Sequence, residues 1–351
     1  MQKKNFQLGP KTIQEFGDVF IIAEAGVNHN GELNKALALI DAASDAGADA
    51  VKFQTFKAEQ VTTKTAQMAA YQEKNLGVKK SQLEMLRALE LKDEFYAPLI
   101  KRCQEKNIMF LSTPHGSKAS VDFLETLNLA AYKVGSADLT NYILLDRLSK
   151  IQKPIILSTG MTTMRQVAEA ITYLQNKGAD QIIALHCTTN YPCPLNEVNL
   201  NVMTAMMKTL NVPIGYSDHT QTHETAILAT KLGQALYECH FTLDKSLPGP
   251  DHAASATPAE LTTRIKLIRR QIILGQKEKK PTLSELKMIP CVSKSIVATR
   301  NLKKGQLIKA EDLEAKRPGS GLSPTLWETL IGKKLTKNVK TDQQLQLTDF
   351  E

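Results

Sequence analysis

Glu24, Lys52, Lys133, His219 and His240 share one kind of position: each lies within or just past a short apolar run, where a backbone element stops and a loop begins. Two imidazoles brought to one spot would suit a borderline divalent cation completed by water and substrate oxygens, and such a cation acts as a Lewis acid. Two lysines among serine and threonine hydroxyls and glycine-adjacent amides would cradle phosphate and carboxylate, the two anions of a small phosphorylated acid. Each lysine alone reads equally well as half of a structural ion pair, with Glu24 or Asp138 as partner. His29, in an Asn/Gly loop, is a weaker candidate, and His186 reads as pointing into the wall.

What must position these residues is a set of parallel strands. Candidate strands fall at 19–23 (VFIIA), 50–53 (AVKF), 109–112 (MFLS), 131–134 (AYKV), 154–158 (PIILS), 182–187 (IIALHC), 212–216 (VPIGY) and 235–239 (ALYEC), alternating with helical patterns. The stretch 33–46 is typical: Leu37, Ile40, Ala43 and Ala46 recur at helical spacing and Gly47 ends the run. Eight such units predict a (β/α)8 barrel rather than an open doubly wound sheet, and in a barrel the site forms where the strands end. Those ends supply Glu24 and the loop Gly26–Gly31, Lys52 with Gln54, Ser112 to Pro114, Lys133 with Ser136 and Asp138, Ser158 to Gly160, Thr188 to Tyr191, Ser217 to His219, and His240.

Lys+Arg 44 against Asp+Glu 36 gives a formal charge of +8, which suits anionic small molecules as well as nucleic acid; with 5% aromatics and no nucleic-acid motif, small molecules are the reading. The five cysteines are scattered with no C-x-x-C pair, which argues against a zinc ribbon or a disulfide framework. Cys187 and Cys239 flank strand ends without an evident base and read as small buried hydrophobes. No run approaches the ~18 apolar residues of a membrane span, no signal peptide is recognisable, and the expected location is the cytoplasm.

The reading divides the chain into a barrel at 1–275, a polar linker at 276–290 and a small β domain at 291–351. Residues 57–92 exceed what a barrel unit needs and read equally as a lid, a subunit contact or a solvated excursion. In the last domain SIVATR and LIKA read as β-type runs. Segment 301–314 (NLKKGQLIKAEDLE) aligns without gaps on 338–351 (NVKTDQQLQLTDFE), which predicts two related halves flanking KRPGSG.

The motifs IIAEAGVNHNG (21–31), VKFQTF (51–56), YKVGSADLTN (132–141), ILSTGM (156–161), HCTTNYP (186–192), GYSDHT (215–220), HFTLDKSLPGPDHAAS (240–255) and KRPGSG (316–321) together resemble the sialic acid synthase family, nearly end to end. The resemblance implies an α/β fold: a (β/α)8 TIM barrel followed by a β-clip SAF domain similar to type III antifreeze protein. It also implies a transferase that condenses phosphoenolpyruvate with an open-chain N-acetylated mannose-type sugar and releases phosphate. N-acetylmannosamine is the first acceptor expected, giving N-acetylneuraminate; 2,4-diacetamido-2,4,6-trideoxymannose, giving legionaminic acid, is the alternative. A non-catalytic carbohydrate-binding protein is the rival of another class.

Carried over by resemblance, Glu24 matches the carboxylate handling the attacking water, and His219 and His240 match ligands of a divalent metal, manganese before magnesium or cobalt. Lys52, Thr113, Lys133, Ser136, Ser158 and Ser217 match phosphoenolpyruvate positions. Asp138, Tyr191, Asp251 and Arg317 match sugar positions, Arg317 reaching a partner's barrel in a domain-swapped homodimer. Asp138 stands where several members have Glu, and Thr189 with Asn190 departs from one variant of its motif; both bear on the sugar rather than the reaction. The continuation LPGPDHAAS resembles sialic and legionaminic acid synthases more than pseudaminic acid synthases.

Overall fold

The computed structural model describes residues 5–76, 81–274 and 278–351, and the chain divides into two units, Met1–Gln276 and Lys277–Glu351. In the first, β1 (Phe6–Leu8) and β2 (Lys11–Ile13) form an antiparallel hairpin. An eight-stranded parallel sheet follows: β3 (Phe20–Gly26), β4 (Ala50–Thr55), β5 (Met109–Pro114), β6 (Tyr132–Val134), β7 (Ile155–Ser158), β8 (Ile182–His186), β9 (Ile214–Asp218) and β10 (Leu236–His240). Their order is β5-β4-β3-β10-β9-β8-β7-β6, and β5 and β6 lie side by side, closing a barrel. Strand nine begins two residues later than its apolar run because Pro213 has no N–H to give the ladder, and it extends to Asp218.

Helices α1 (Leu33–Asp45), α2 (Ala58–Val61), α3 (Ala70–Leu76), α4 (Gln82–Ala88), α5 (Tyr96–Glu105), α6 (Lys118–Thr126), α7 (Tyr142–Ser149), α8 (Met164–Asn176), α9 (Asn201–Thr209), α10 (Glu224–Leu232) and α11 (Pro258–Leu274) fill the connections. Local chemistry sets several of their ends. Ser81 with Glu84, and Thr163 with Gln166, form capping boxes that satisfy the first N–H groups of α4 and α8. The backbone turns left-handed at Gly47 (φ 87°), two residues past α1.

Side chains alternate across each strand, and the two faces have different chemistry. Outward residues such as Ala23, Val51, Phe53, Val134, Leu157, Tyr216 and Tyr237 pack against the helices. Inward residues change along the strand. At the N-terminal end Phe20, Ile22, Ala50, Leu111, Ile156, Ile183 and Leu236 form an apolar plug, sealed by Phe6, Leu8 and Ile13 of the hairpin. Each of the larger ones stabilises the fold by about 1.5–3 kcal/mol through burial. One inward position further on, the same strands present Glu24, Lys52, Thr113, Lys133, Ser158 and Glu238. The apolar plug thus excludes water below a charged floor.

In the second unit α12 (Leu283–Val292) precedes an antiparallel pair, β11 (Ser295–Ala298) and β12 (Leu313–Lys316), and a short α13 (Trp327–Leu330). The segment read as a polar linker is largely this helix, capped by Thr282 and Glu285. LIKA is not a strand, because the Asp312 carboxylate accepts the Lys309 N–H at 3.1 Å and turns the chain. Reciprocal hydrogen bonds relate the two halves. Leu302 N donates to Val339 O at 2.8 Å and Val339 N to Leu302 O at 2.9 Å; Gly305 N donates to Leu335 O at 2.7 Å and Asp342 N to Ala298 O at 2.8 Å. Lys304 N binds Asn338 Oδ1 at 2.8 Å while Thr341 N binds Asn301 Oδ1 at 3.0 Å. The repeated aspartates, Asp312 (0% exposed) and Asp349 (1%), cap equivalent turns.

Candidate active site

A cavity of about 410 Å³ opens at the C-terminal ends of the strands. On its floor Lys52 Nζ lies 2.5 Å from Glu24 Oε2 and 3.5 Å from Glu238 Oε2, and it donates to Thr113 Oγ1 at 3.2 Å. Lys133 Nζ donates to Ser158 Oγ at 2.5 Å and lies 3.6 Å from Glu238 Oε1, which also accepts from Ser217 Oγ at 2.9 Å. Lys133 therefore pairs with Glu238, not with Glu24 or Asp138.

None of these four ionisable residues is more than 4% exposed, so their charges are set by one another. Burial works against ionisation of Glu238, but Lys133 and Lys52 outweigh it and hold the carboxyl at about 2. Burial and the charge of Glu238 push Glu24 above the usual carboxylate range against the pull of Lys52. Burial disfavours the charge on Lys52, yet Glu238 and Glu24 raise it; Lys133 is lowered by burial and by Lys52 despite Glu238. Glu238 is the settled negative charge and Lys52 the settled positive one. An anion arriving beside Lys133 would favour its charged form.

His219 and His240 meet above this floor with ring centroids 5.6 Å apart, and the Tyr191 ring lies 4.3 Å from the first and 5.3 Å from the second. His219 Nδ1 donates to Thr188 O at 2.7 Å, which fixes the tautomer and leaves Nε2 with a lone pair. His240 Nδ1 is buried without a hydrogen-bond partner among the described residues. Burial lowers both imidazoles, His240 to about 3 with its neighbour His219 adding to the effect, which favours the neutral form of each. Neutral imidazoles with available nitrogens are the donor set a borderline divalent cation takes. Among the described residues no group of three His, Cys, Asp or Glu forms a metal cage, so water or substrate would fill the other positions.

Ser136 reaches the cavity from the loop after β6, and its Oγ accepts the Gly160 N–H at 3.0 Å. A Cβ at residue 160 would come 2.1 Å from Thr189 Oγ1, so only glycine allows that approach. Asp251 is carried by the loop after β10, which the first loop holds down: Asn28 Nδ2 donates to Phe241 O at 2.8 Å and to Ser255 Oγ at 2.9 Å, and Asn30 Nδ2 to Pro248 O at 2.8 Å. Burial, then the charge of Glu24, raises Asp251 from 3.8 to about 7. The folded chain therefore holds this proton more tightly than the unfolded chain, and stability declines as pH rises through 4 to 7. Asp251→Asn should be more stable than wild type at pH 8, with the gap closing as pH falls toward 4. Thermal melts across that range check it; a gap independent of pH refutes it.

Two expected sugar contacts, Asp138 and Arg317, are placed as follows. Asp138 does not line the cavity: its carboxylate accepts from Asn141 Nδ2 at 2.9 Å and Gly116 N at 3.2 Å, and faces His115, which does line it. Arg317 belongs to the second unit, exposed beyond β12, where Ser295 Oγ donates to Pro318 O at 2.7 Å and Gln344 Nε2 to the same oxygen at 2.8 Å. His186 does face the wall, bonded to Val198 O at 2.8 Å. Sequence reasoning missed Glu238, although its spacing two before His240 puts both on one strand face. It also left open the 57–92 insertion, from which Val61, Met85, Leu86 and Leu89 form an apolar side wall of the cavity.

Residues 39–279 match the NeuB family and residues 293–351 the SAF domain. The chain is 44% identical, over 93% of its length and 98% of the relative's, to N,N'-diacetyllegionaminic acid synthase of Campylobacter jejuni subsp. jejuni. It is 42% identical, over 93% of each chain, to the protein of the same name in Legionella pneumophila subsp. pneumophila. Among solved structures it is similar to the N-acetylneuraminic acid (sialic acid) synthetase of Leptospira borgpetersenii serovar Hardjo-bovis in complex with citrate, at 32% identity and TM-score 0.71 over 82% of this chain and 95% of that one.

Proposed function

Because the chain belongs to the NeuB family and is a nonulosonic acid synthase, we propose that it joins phosphoenolpyruvate to open-chain 2,4-diacetamido-2,4,6-trideoxymannose, giving N,N'-diacetyllegionaminate and phosphate. The carrying observation is the cavity's two-sided lining: lysines and hydroxyls on the floor for the two anionic groups of phosphoenolpyruvate, and an apolar side wall of Val61, Met85, Leu86 and Leu89 suited to the acceptor's methyl and acetamido groups. Relatives at 44% and 42% identity carry the same product in their names.

Lys133, Ser158, Lys52, Thr113, Ser136 and Ser217 receive phosphate and carboxylate. The methylene carbon of phosphoenolpyruvate forms the new bond to C1 of the sugar, and the phosphate-bearing C2 of phosphoenolpyruvate becomes electron-poor. Glu24, whose carboxyl burial and Glu238 raise above the usual carboxylate range, can give a proton to the C1 oxygen as that bond forms. As a carboxylate it then takes a proton from the water adding at C2, and the resulting tetrahedral centre expels phosphate. A divalent cation, manganese first, would be held by His219 and His240 and would supply Lewis-acid polarisation of the aldehyde oxygen. The reading includes a cytoplasmic location and a homodimer in which Arg317 of the partner subunit meets the acceptor. Among the described residues no helix is long and apolar enough to cross a membrane.

N-acetylmannosamine, the first acceptor expected by resemblance, is the second reading, favoured by the Leptospira structure. Phosphate release with each acceptor separates the two. The diacetamido sugar should be preferred by about 10- to 100-fold in kcat/KM, the scale on which an apolar pocket discriminates small groups. Equal or reversed preference rejects the first reading; no phosphate release with either rejects the reaction.

A further inference from the structure

Asp218 lies between two cavity residues, Ser217 and His219, yet points away from the cavity, into the layer between barrel and helices. Its carboxylate, 1% exposed, accepts four hydrogen bonds. Oδ1 takes the Thr220 N–H at 2.9 Å and the Tyr216 hydroxyl at 3.3 Å; Oδ2 takes the Thr225 hydroxyl at 2.8 Å and the Tyr237 hydroxyl at 2.9 Å. With Thr225 donating to the acid, its oxygen accepts from the Thr220 hydroxyl at 2.9 Å. Arg264 of α11, 2% exposed, completes the group: Nη1 donates to the Tyr237 hydroxyl at 3.3 Å and Nη2 to Thr220 O at 3.0 Å.

This network sits where the sheet stops holding the chain. The last register pair between β9 and β10 is Asp218 with Cys239, so His219 is the first residue beyond the ladder. Asp218 grips the N–H on the far side of His219, and Arg264 grips the next carbonyl. Through Tyr237 the same acid reaches the strand that ends in His240, and through Thr225 it ties in α10. A buried, fully bonded carboxylate of this kind fixes geometry because each bond would be lost at once if the turn shifted.

We propose that Asp218, with Tyr237 and Arg264, is the positioning centre that sets His219 and His240 at the spacing one cation needs; this rests on the reading of those histidines as metal ligands. Residues that orient metal ligands from behind typically change affinity by about 10- to 100-fold when altered.

The test is Mn²⁺ binding to the full-length protein, followed by the loss of the free ion's electron paramagnetic resonance signal, with phosphoenolpyruvate binding in chelator and thermal melting measured alongside. Asp218→Asn keeps the shape and removes the charge. It should weaken Mn²⁺ about 10- to 100-fold and leave metal-free phosphoenolpyruvate affinity within about threefold. Tyr237→Phe, which deletes one hydroxyl, should weaken Mn²⁺ by a smaller factor and decides the matter if Asp218→Asn does not fold. A melting point lowered with Mn²⁺ affinity unchanged assigns the network to stability alone and overturns the proposal. His219→Ala is the control: if it binds Mn²⁺ as well as wild type, the metal reading fails and this inference with it, whereas lost binding there with intact binding in Asp218→Asn overturns only this inference.

Discussion

Glu238→Gln should lower the stability of the ligand-free protein by about 3–5 kcal/mol, the cost of leaving a buried charge without its partner. The side chain keeps its shape, and its amide oxygen can still accept from Ser217, so the variant removes charge and little else. What remains is Lys52 and Lys133 above an apolar plug with only Glu24 to balance them. Relieved of its negative neighbour, Glu24 should shift back toward the usual carboxylate range under the pull of Lys52 and become a weaker proton donor to the sugar. Turnover should fall by about 100-fold, the lower end of what acid–base groups supply. Phosphoenolpyruvate brings the missing negative charge, so saturating substrate should restore part of the lost stability, about 2.7 kcal/mol at one hundred times its dissociation constant. Chemical denaturation with and without phosphoenolpyruvate measures this. Wild-type stability in the empty variant would show that Glu238 does not hold the lysines.

Glu24→Gln should behave in the opposite way. Lys52 retains Glu238 at 3.5 Å, and the carboxyl replaced is already biased toward neutrality, so the melting point should move little. Turnover should nevertheless drop by about 10²–10⁴-fold, because both proton transfers of the proposed reaction pass through this group. Affinity for phosphoenolpyruvate, measured by titration calorimetry, should stay within a few-fold. Turnover within tenfold of wild type would remove Glu24 from the chemistry. The pair of variants separates a residue that organises charge from one that moves protons.

Much of this site is legible in the sequence, for a physical reason. Strands with inward apolar residues at one end and charged ones at the other leave a legible mark, as in Ile22 to Glu24 or Ala50 to Lys52, because few folds tolerate a lysine inside a strand. Glu238 escaped notice since its neighbours Leu236, Tyr237 and Cys239 make it look like the interior of an ordinary buried strand. The insertion was opaque for another reason: α2 has four residues and α3 and α4 seven each, too short to be stable alone, so their pattern follows from the cavity they cover. At Asp138 a short polar side chain after a strand closes its own turn, a use that the resemblance does not specify.

The reciprocal bonds of the second unit bear on its ancestry. Leu302 and Val339 each donate to the other, and Asn301 and Asn338 each serve the opposite half, so neither half can complete its own hydrogen bonds. A forerunner bearing one half could have satisfied them only by meeting a second copy of itself. The unit therefore has the hydrogen bonding of a symmetric pair carried on one polypeptide. The residues the halves share, Asn301 with Asn338 and Asp312 with Asp349 among them, include those whose side chains this symmetry uses.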